Sequence, residues 1–161
     1  MKFTISLCTY HPTKLKTLAT AAKLDDAVAI AAVLTQRRQG QECQIWLQAR
    51  FPGARFLEQL AGHCCDSEHP KAEAEWKRSA EKVIARKLQD RKDAAARHEW
   101  IKAHGSFDTV WSLIQSNEPL RLAFYANRFD ECDRLYAELT RPVVIAAEFL
   151  PQPNLSLLQI A

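Results

Sequence analysis

The sequence predicts an α+β fold dominated by helix, and three observations carry that expectation. Period-two alternation near the chain ends marks strands, long stretches rich in Ala, Glu, Lys and Arg in the middle mark helices, and Gly and Pro mostly fall between these segments. With 161 residues, 47% of them hydrophobic and 25% charged, the chain can bury a core without disulfides or metal. One domain spanning residues 1–161 is expected, with a small mixed β-sheet formed by N-terminal and C-terminal strands and one long basic central helix.

Phe3, Ile5 and Leu7 alternate with Thr4, Ser6 and Cys8, so residues 2–9 read as a half-buried strand that His11-Pro12 ends. A helical stretch is expected from about residue 13, best defined over 24–39. There Asp25 and Asp26 suit the positive end of the helix, Arg37 and Arg38 the negative end, and Gly40 the cap. Cys43, Ile45 and Leu47 alternate with Gln44, Trp46 and Gln48, giving a second strand at 42–49. Strand, helix and strand in that order favour a parallel pair joined by a right-handed crossover. Pro52-Gly53 reads as a turn, 54–62 as a short helix carrying Phe56, Leu57 and Leu60, and 63–70 as a loop.

Residues 71–104 contain no Gly or Pro and read as one long helix stopped by Gly105. Helices at 107–116 and 119–140 follow, the second kinked near Asn127. Apolar segments within 143–160, interrupted by Pro151 and Pro153, read as two terminal strands that return to the sheet. The letters show no internal repeat.

No apolar run approaches the roughly 20 residues that span a bilayer. Cys8, Cys43, Cys64, Cys65 and Cys132 lack a framework spacing and read as reduced thiols, so a cytoplasmic protein with no membrane partner is expected. Charge is unevenly spread: residues 1–104 carry 18 Lys and Arg against 12 Asp and Glu, whereas 105–161 carry 4 against 7.

The basic surplus concentrates on the long helix. At roughly 100° per residue, Trp76, Ala80, Val83, Ile84, Ala94 and Ile101 share a face, and Lys87, Arg91 and His98 fall on that same side. Arg78, Lys82 and Arg86 form a row on the opposite face, with Arg97 and Trp100 further along. Such a row suits a phosphate backbone, and Arg97 with Trp100 would suit stacking against exposed bases. These seven positions, Arg78, Lys82, Arg86, Lys87, Arg91, Arg97 and Trp100, are the expected contacts for nucleic acid or an acidic protein surface. A second copy of the chain is another partner open to such a helix.

The 4 glycines make no phosphate-cradling loop, and no Ser or Thr sits in a nucleophile elbow. His63, Cys64, Cys65 and His69, with Cys43, are the densest set of soft ligands. Adjacent cysteines point apart and no second ligand pair exists, so no metal and no cofactor are expected. Cys64 or Cys65 beside His63 or His69 also has the elements of an activated thiol. Asp130, Glu131 and Asp133 do not share one helix face and read as a solvated acidic patch.

Arg97, followed by His98 and His104, resembles the Arg-x4-6-His signature of HEPN-type ribonucleases. That resemblance implies an arginine that steadies the scissile phosphate and a histidine in acid–base chemistry across a helical dimer. Asn154-Leu155-Ser156-Leu157-Leu158 resembles the peptides that bind bacterial sliding clamps, with Asn and Leu at the two anchoring positions. From the residues themselves, the expectation is a non-enzymatic accessory or adaptor protein that binds nucleic acid or an acidic protein through its basic helix. The alternatives are a ribonuclease using Arg97 and His104, or a protein-binding or inhibitor module without nucleic-acid contact.

Overall fold

The structure, a computed structural model, describes residues 1–10 and 13–141. It is α+β: the described residues hold four strands, all from the N-terminal region, and five helices, the first of them between the second and third strands. In order these are β1 (Lys2–Tyr10), β2 (Thr13–Ala21), α1 (Leu24–Arg37), β3 (Cys43–Arg50), β4 (Glu58–Cys64), α2 (Glu73–His104), α3 (Phe107–Ser116), α4 (Glu118–Tyr125) and α5 (Phe129–Thr140). Backbone contacts divide the chain into two compact units, Met1–Lys92 and Asp93–Ala161.

In the first unit the strands form a four-stranded sheet in the order β2-β1-β3-β4, with every neighbouring pair antiparallel. The arrangement is strand, strand, helix, then strand, strand, helix, with β1 and β3 meeting at the seam between the two halves. A repeat absent from the letters is therefore present in the topology.

Three sequence expectations are corrected here. Residues 13–21 form β2 instead of the start of a helix, and residues 58–64 form β4 where a helix was expected over 54–62. Because β2 carries the chain back before α1 begins, β3 runs antiparallel to β1, and the expected parallel crossover is absent. The described sheet is accordingly antiparallel, not mixed, and is built from residues 2–64. The strands expected within 143–160 lie outside the described residues.

Both missed strands carry a register slip. One falls between Ile5 and Ser6 on the β1–β2 ladder, leaving Leu18 as the extra residue; the other falls between Leu47 and Gln48, leaving Leu60 extra. A bulge of this kind interrupts the alternation by which a strand is recognised in a sequence.

One face of the sheet is apolar. Phe3, Ile5, Ile45 and Leu47 are buried there with Ala27, Val28 and Ala31 of α1 and Trp76 and Ala80 of α2. The small side chains of α1 allow its backbone to lie close to the strands, and Ala27 and Ala31 are completely buried. Its ends follow the expected charges, with Asp25 and Asp26 in the first turn and Arg37 in the last. Gly40, at φ 80°, lets the chain turn so that its N–H donates to the Cys65 carbonyl at 2.6 Å.

The second unit has its own core, formed by Trp100 and Ile101 from the end of α2 with Val110, Ile114, Leu120, Ala123, Phe124 and Cys132. Gly105, at φ 141°, stops α2 as expected. Ser106 then caps α3, its hydroxyl accepting from the Thr109 N–H at 3.4 Å. Asn117 caps α4 in the same way, accepting from the Leu120 N–H at 3.0 Å. The expected kink near Asn127 is a break between two helices: Asn127 sits at φ 56°, which an L residue tolerates best as Asn or Asp.

Candidate functional site

Arg78, Lys82 and Arg86 project from α2 on the side turned away from Trp76 and Ala80. All three are exposed, and none is ion-paired among the described residues. Four residues of helix rise roughly 6 Å, so the row presents three cations over about 12 Å. Of the core stripe expected on this helix, Trp76, Ala80 and Ile101 are buried and Val83 and Ile84 half-buried, whereas Ala94 is exposed.

The remaining sequence-predicted positions are engaged at home. Lys87 Nζ meets Glu58 Oε2 at 3.1 Å. The Arg91 guanidinium donates to the Pro52 carbonyl and lies 5.4 Å from the Phe51 ring centroid. These two cations stand on the core side because the β3–β4 region supplies their partners. His98, placed on that side with them, is exposed.

In the second unit, Arg97 donates to Asn127 Oδ1 at 3.1 Å and covers the Tyr125 ring at 6.0 Å. Trp100 is only 7% exposed, so it is a core residue and not a free stacking platform. Its indole N–H donates to Asp133 Oδ1 at 2.6 Å, and its ring stacks on His104 at 4.1 Å. His104 is held by Asp133 at 3.2 Å through Nε2 and by the Trp100 carbonyl at 2.8 Å through Nδ1. Both side chains named by the ribonuclease resemblance therefore already have partners inside this unit. Glu131, part of the expected acidic patch, pairs with Arg128 at 2.8 Å.

Sequence reasoning passed over the second face of the sheet. Alternation turns Lys2, Thr4, Ser6 and Cys8 of β1 and Gln44, Trp46, Gln48 and Arg50 of β3 to the opposite side of the strands from Phe3, Ile5, Ile45 and Leu47. Ser6 is 1% exposed, and its hydroxyl donates to Gln48 Oε1 at 3.0 Å. Further along, the Trp46 indole N–H donates to Gln44 Oε1 at 2.7 Å, which turns the Gln44 amide N–H toward Cys64 Sγ at 3.1 Å. The Tyr10 hydroxyl lies 3.4 Å from the same sulfur. That contact, with burial, pushes the Tyr10 phenol up to about 12. Gln44, Gln59, Gly62, His63, Cys64 and Ser67 line a cavity of about 430 Å³ at this end of the face.

Cys64 is the one cysteine of the five that is not buried. Burial, followed by a hydrogen bond with Cys43, pushes the Cys65 thiol up to about 12, and burial likewise raises Cys132. Desolvation, aided by the Lys71 charge, pulls the His63 imidazole below its ordinary value, and its Nε2 has no hydrogen-bond partner among the described residues. Among the described residues, no three His, Cys, Asp or Glu side chains converge as metal ligands. No helix among them is long and apolar enough to cross a membrane. Comparison with protein-family models, curated proteins and solved structures gives no match to this chain.

Proposed function

We propose that this protein is a non-enzymatic accessory factor that binds nucleic acid through the basic face of α2. The observation that supports this reading is the row Arg78, Lys82 and Arg86, exposed and without a carboxylate of the same chain among the described residues. Cations held one turn apart on a rigid helix match a ligand with regularly spaced negative charge, and such contacts give affinity without sequence selectivity. The first unit carries the excess of positive charge, with 16 Lys and Arg against 10 Asp and Glu over residues 1–92. Long-range attraction therefore favours approach of a polyanion to this part of the chain.

The test is binding of mixed-sequence DNA and RNA at several salt concentrations, with the wild type and with a triple variant, Arg78→Glu, Lys82→Glu and Arg86→Glu. Binding that weakens steeply with salt and is largely lost in the variant supports the reading. A partner retained from lysate after complete nuclease digestion, with no affinity for either nucleic acid, points instead to an acidic protein on the same row.

A further inference from the structure

At the end of this sheet face opposite Cys64, Lys2, Thr4, Thr17, Thr20, Arg50 and Leu57 line a cavity of about 370 Å³. We propose that this cavity is a binding site for a phosphate group. It stands apart from the α2 row, because Lys2 and Arg50 point to the side of the sheet opposite α1 and the Trp76–Ala80 turn of α2.

Antiparallel register makes the site. Lys2 at the start of β1 is the direct partner of Arg50 at the end of β3, and Thr4 is flanked in register by Thr20 on β2 and Gln48 on β3. Two like charges directly opposite on a ladder repel each other. Among the described residues no carboxylate lines the cavity and neither cation is ion-paired. The nearest acid in sequence, Glu58 beside Leu57, is bound to Lys87 at 3.1 Å.

An anion seated between Lys2 and Arg50 removes that repulsion. The chemistry of the lining selects the anion: Arg50 offers a planar fork for two oxygens, Lys2 a point charge, and the three threonines offer hydroxyl donors. A phosphate monoester near neutral pH carries about 1.5 to 2 negative charges and three acceptor oxygens, which matches two cations and three hydroxyls. The cavity volume is at the small end of the range for ligand pockets, roughly 300–1,000 Å³, which suits a phosphate with a modest attached group.

The phosphate can belong to a small molecule or to a nucleic-acid strand, and the experiment separates these sources. Isotope-labelled full-length protein is titrated with inorganic phosphate, a nucleoside 5′-monophosphate and a short single-stranded oligonucleotide, each at ionic strength held constant with chloride. Amide shifts are followed by NMR, and affinities by calorimetry. The expected result is saturable shifts at Lys2, Thr4, Thr17, Thr20 and Arg50, separate from any oligonucleotide shifts on the Arg78 row, with affinity at the cavity falling about tenfold or more in Arg50→Gln and again in Lys2→Gln/Arg50→Gln. Response to the monophosphate identifies a small-molecule site, and response to the oligonucleotide alone identifies a backbone contact; both support the proposal. Arg134→Gln, an exposed position on α5 outside both the cavity and the α2 row, serves as the control and should leave these shifts unchanged. The proposal is overturned if the ligands shift exposed cations indiscriminately, if none of the three binds, or if the double variant binds as the wild type does while retaining its fold by circular dichroism.

Discussion

Arg97 reaches across thirty residues of chain to Asn127, the one described non-glycine residue with a left-handed backbone, and donates to its side-chain oxygen at 3.1 Å. One contact thus fixes the end of α2 against the break between α4 and α5. Asn127→Ala should cost about 2 kcal/mol, because alanine pays the left-handed penalty and loses the hydrogen bond. Asn127→Gly relieves the backbone and keeps only the lost bond, so about half that cost should remain. Urea denaturation of the three proteins checks the order.

Trp76 is completely buried beneath the sheet, with Lys71 Nζ 5.0 Å from its ring centroid and its own indole N–H unpaired among the described residues. Trp76→Ala should destabilise the protein by roughly 3–5 kcal/mol through cavity formation. Trp76→Phe should cost less than half as much, since it removes the unpaired donor together with part of the ring. Equal losses in the two variants, read from denaturation midpoints, would contradict the buried, unpaired placement.

His63 sets a pH dependence. Its folded pKa is depressed chiefly by desolvation, so the neutral ring belongs to the fold, while the unfolded chain takes a proton at its ordinary 6.5. Stability from this group is complete above pH 6.5 and declines as pH falls from there toward the folded pKa, where the unfolded state binds more protons than the native one. His63→Gln should flatten this part of the curve relative to wild type when urea midpoints are compared at pH 7.5 and 5.5. A curve of the same slope in the variant would remove His63 as its source.

Under native conditions a maleimide should label one thiol quickly, and Cys64→Ser should abolish that fast phase. The other four cysteines are buried and should react only on unfolding. Mass spectrometry of the singly labelled protein locates the adduct.

The Arg78, Lys82 and Arg86 triple charge reversal should lower the salt slope of nucleic-acid binding by about 2.7 if all three meet phosphates of a duplex. Exposed positions of this kind change stability by roughly 0.5 kcal/mol or less each, so the thermal midpoint should move little. A large fall in that midpoint would reveal a structural part for the row.

What the letters disclosed follows from how local each determinant is. The helix at Phe107–Ser116 was readable to the residue, because Gly105 and Asn117 punctuate it within the segment itself. β2 and β4 were not, since Leu18 and Leu60 are bulge residues that spoil the two-residue period, and the Leu15–Leu18 spacing imitates a helix. The cationic row on α2 was visible from helical geometry alone. The engagement of Arg91 with Pro52 and of Arg97 with Asn127 depends on tertiary proximity that no local pattern encodes. The pairing of Lys2 with Arg50 was hidden for a further reason: it exists only in the antiparallel register, and a parallel pair would have set the two residues at opposite ends.

The two slips in register also bear on self-association. β2 and β4 form the outer margins of the described sheet, and each is bent by its extra residue, with Lys14 and Lys16 exposed along β2. A bent, charged margin is a poor template for a strand from a neighbouring molecule. The same irregularities that disguised these strands thus guard the chain against fibril growth at high concentration, and straightening either margin would remove that guard.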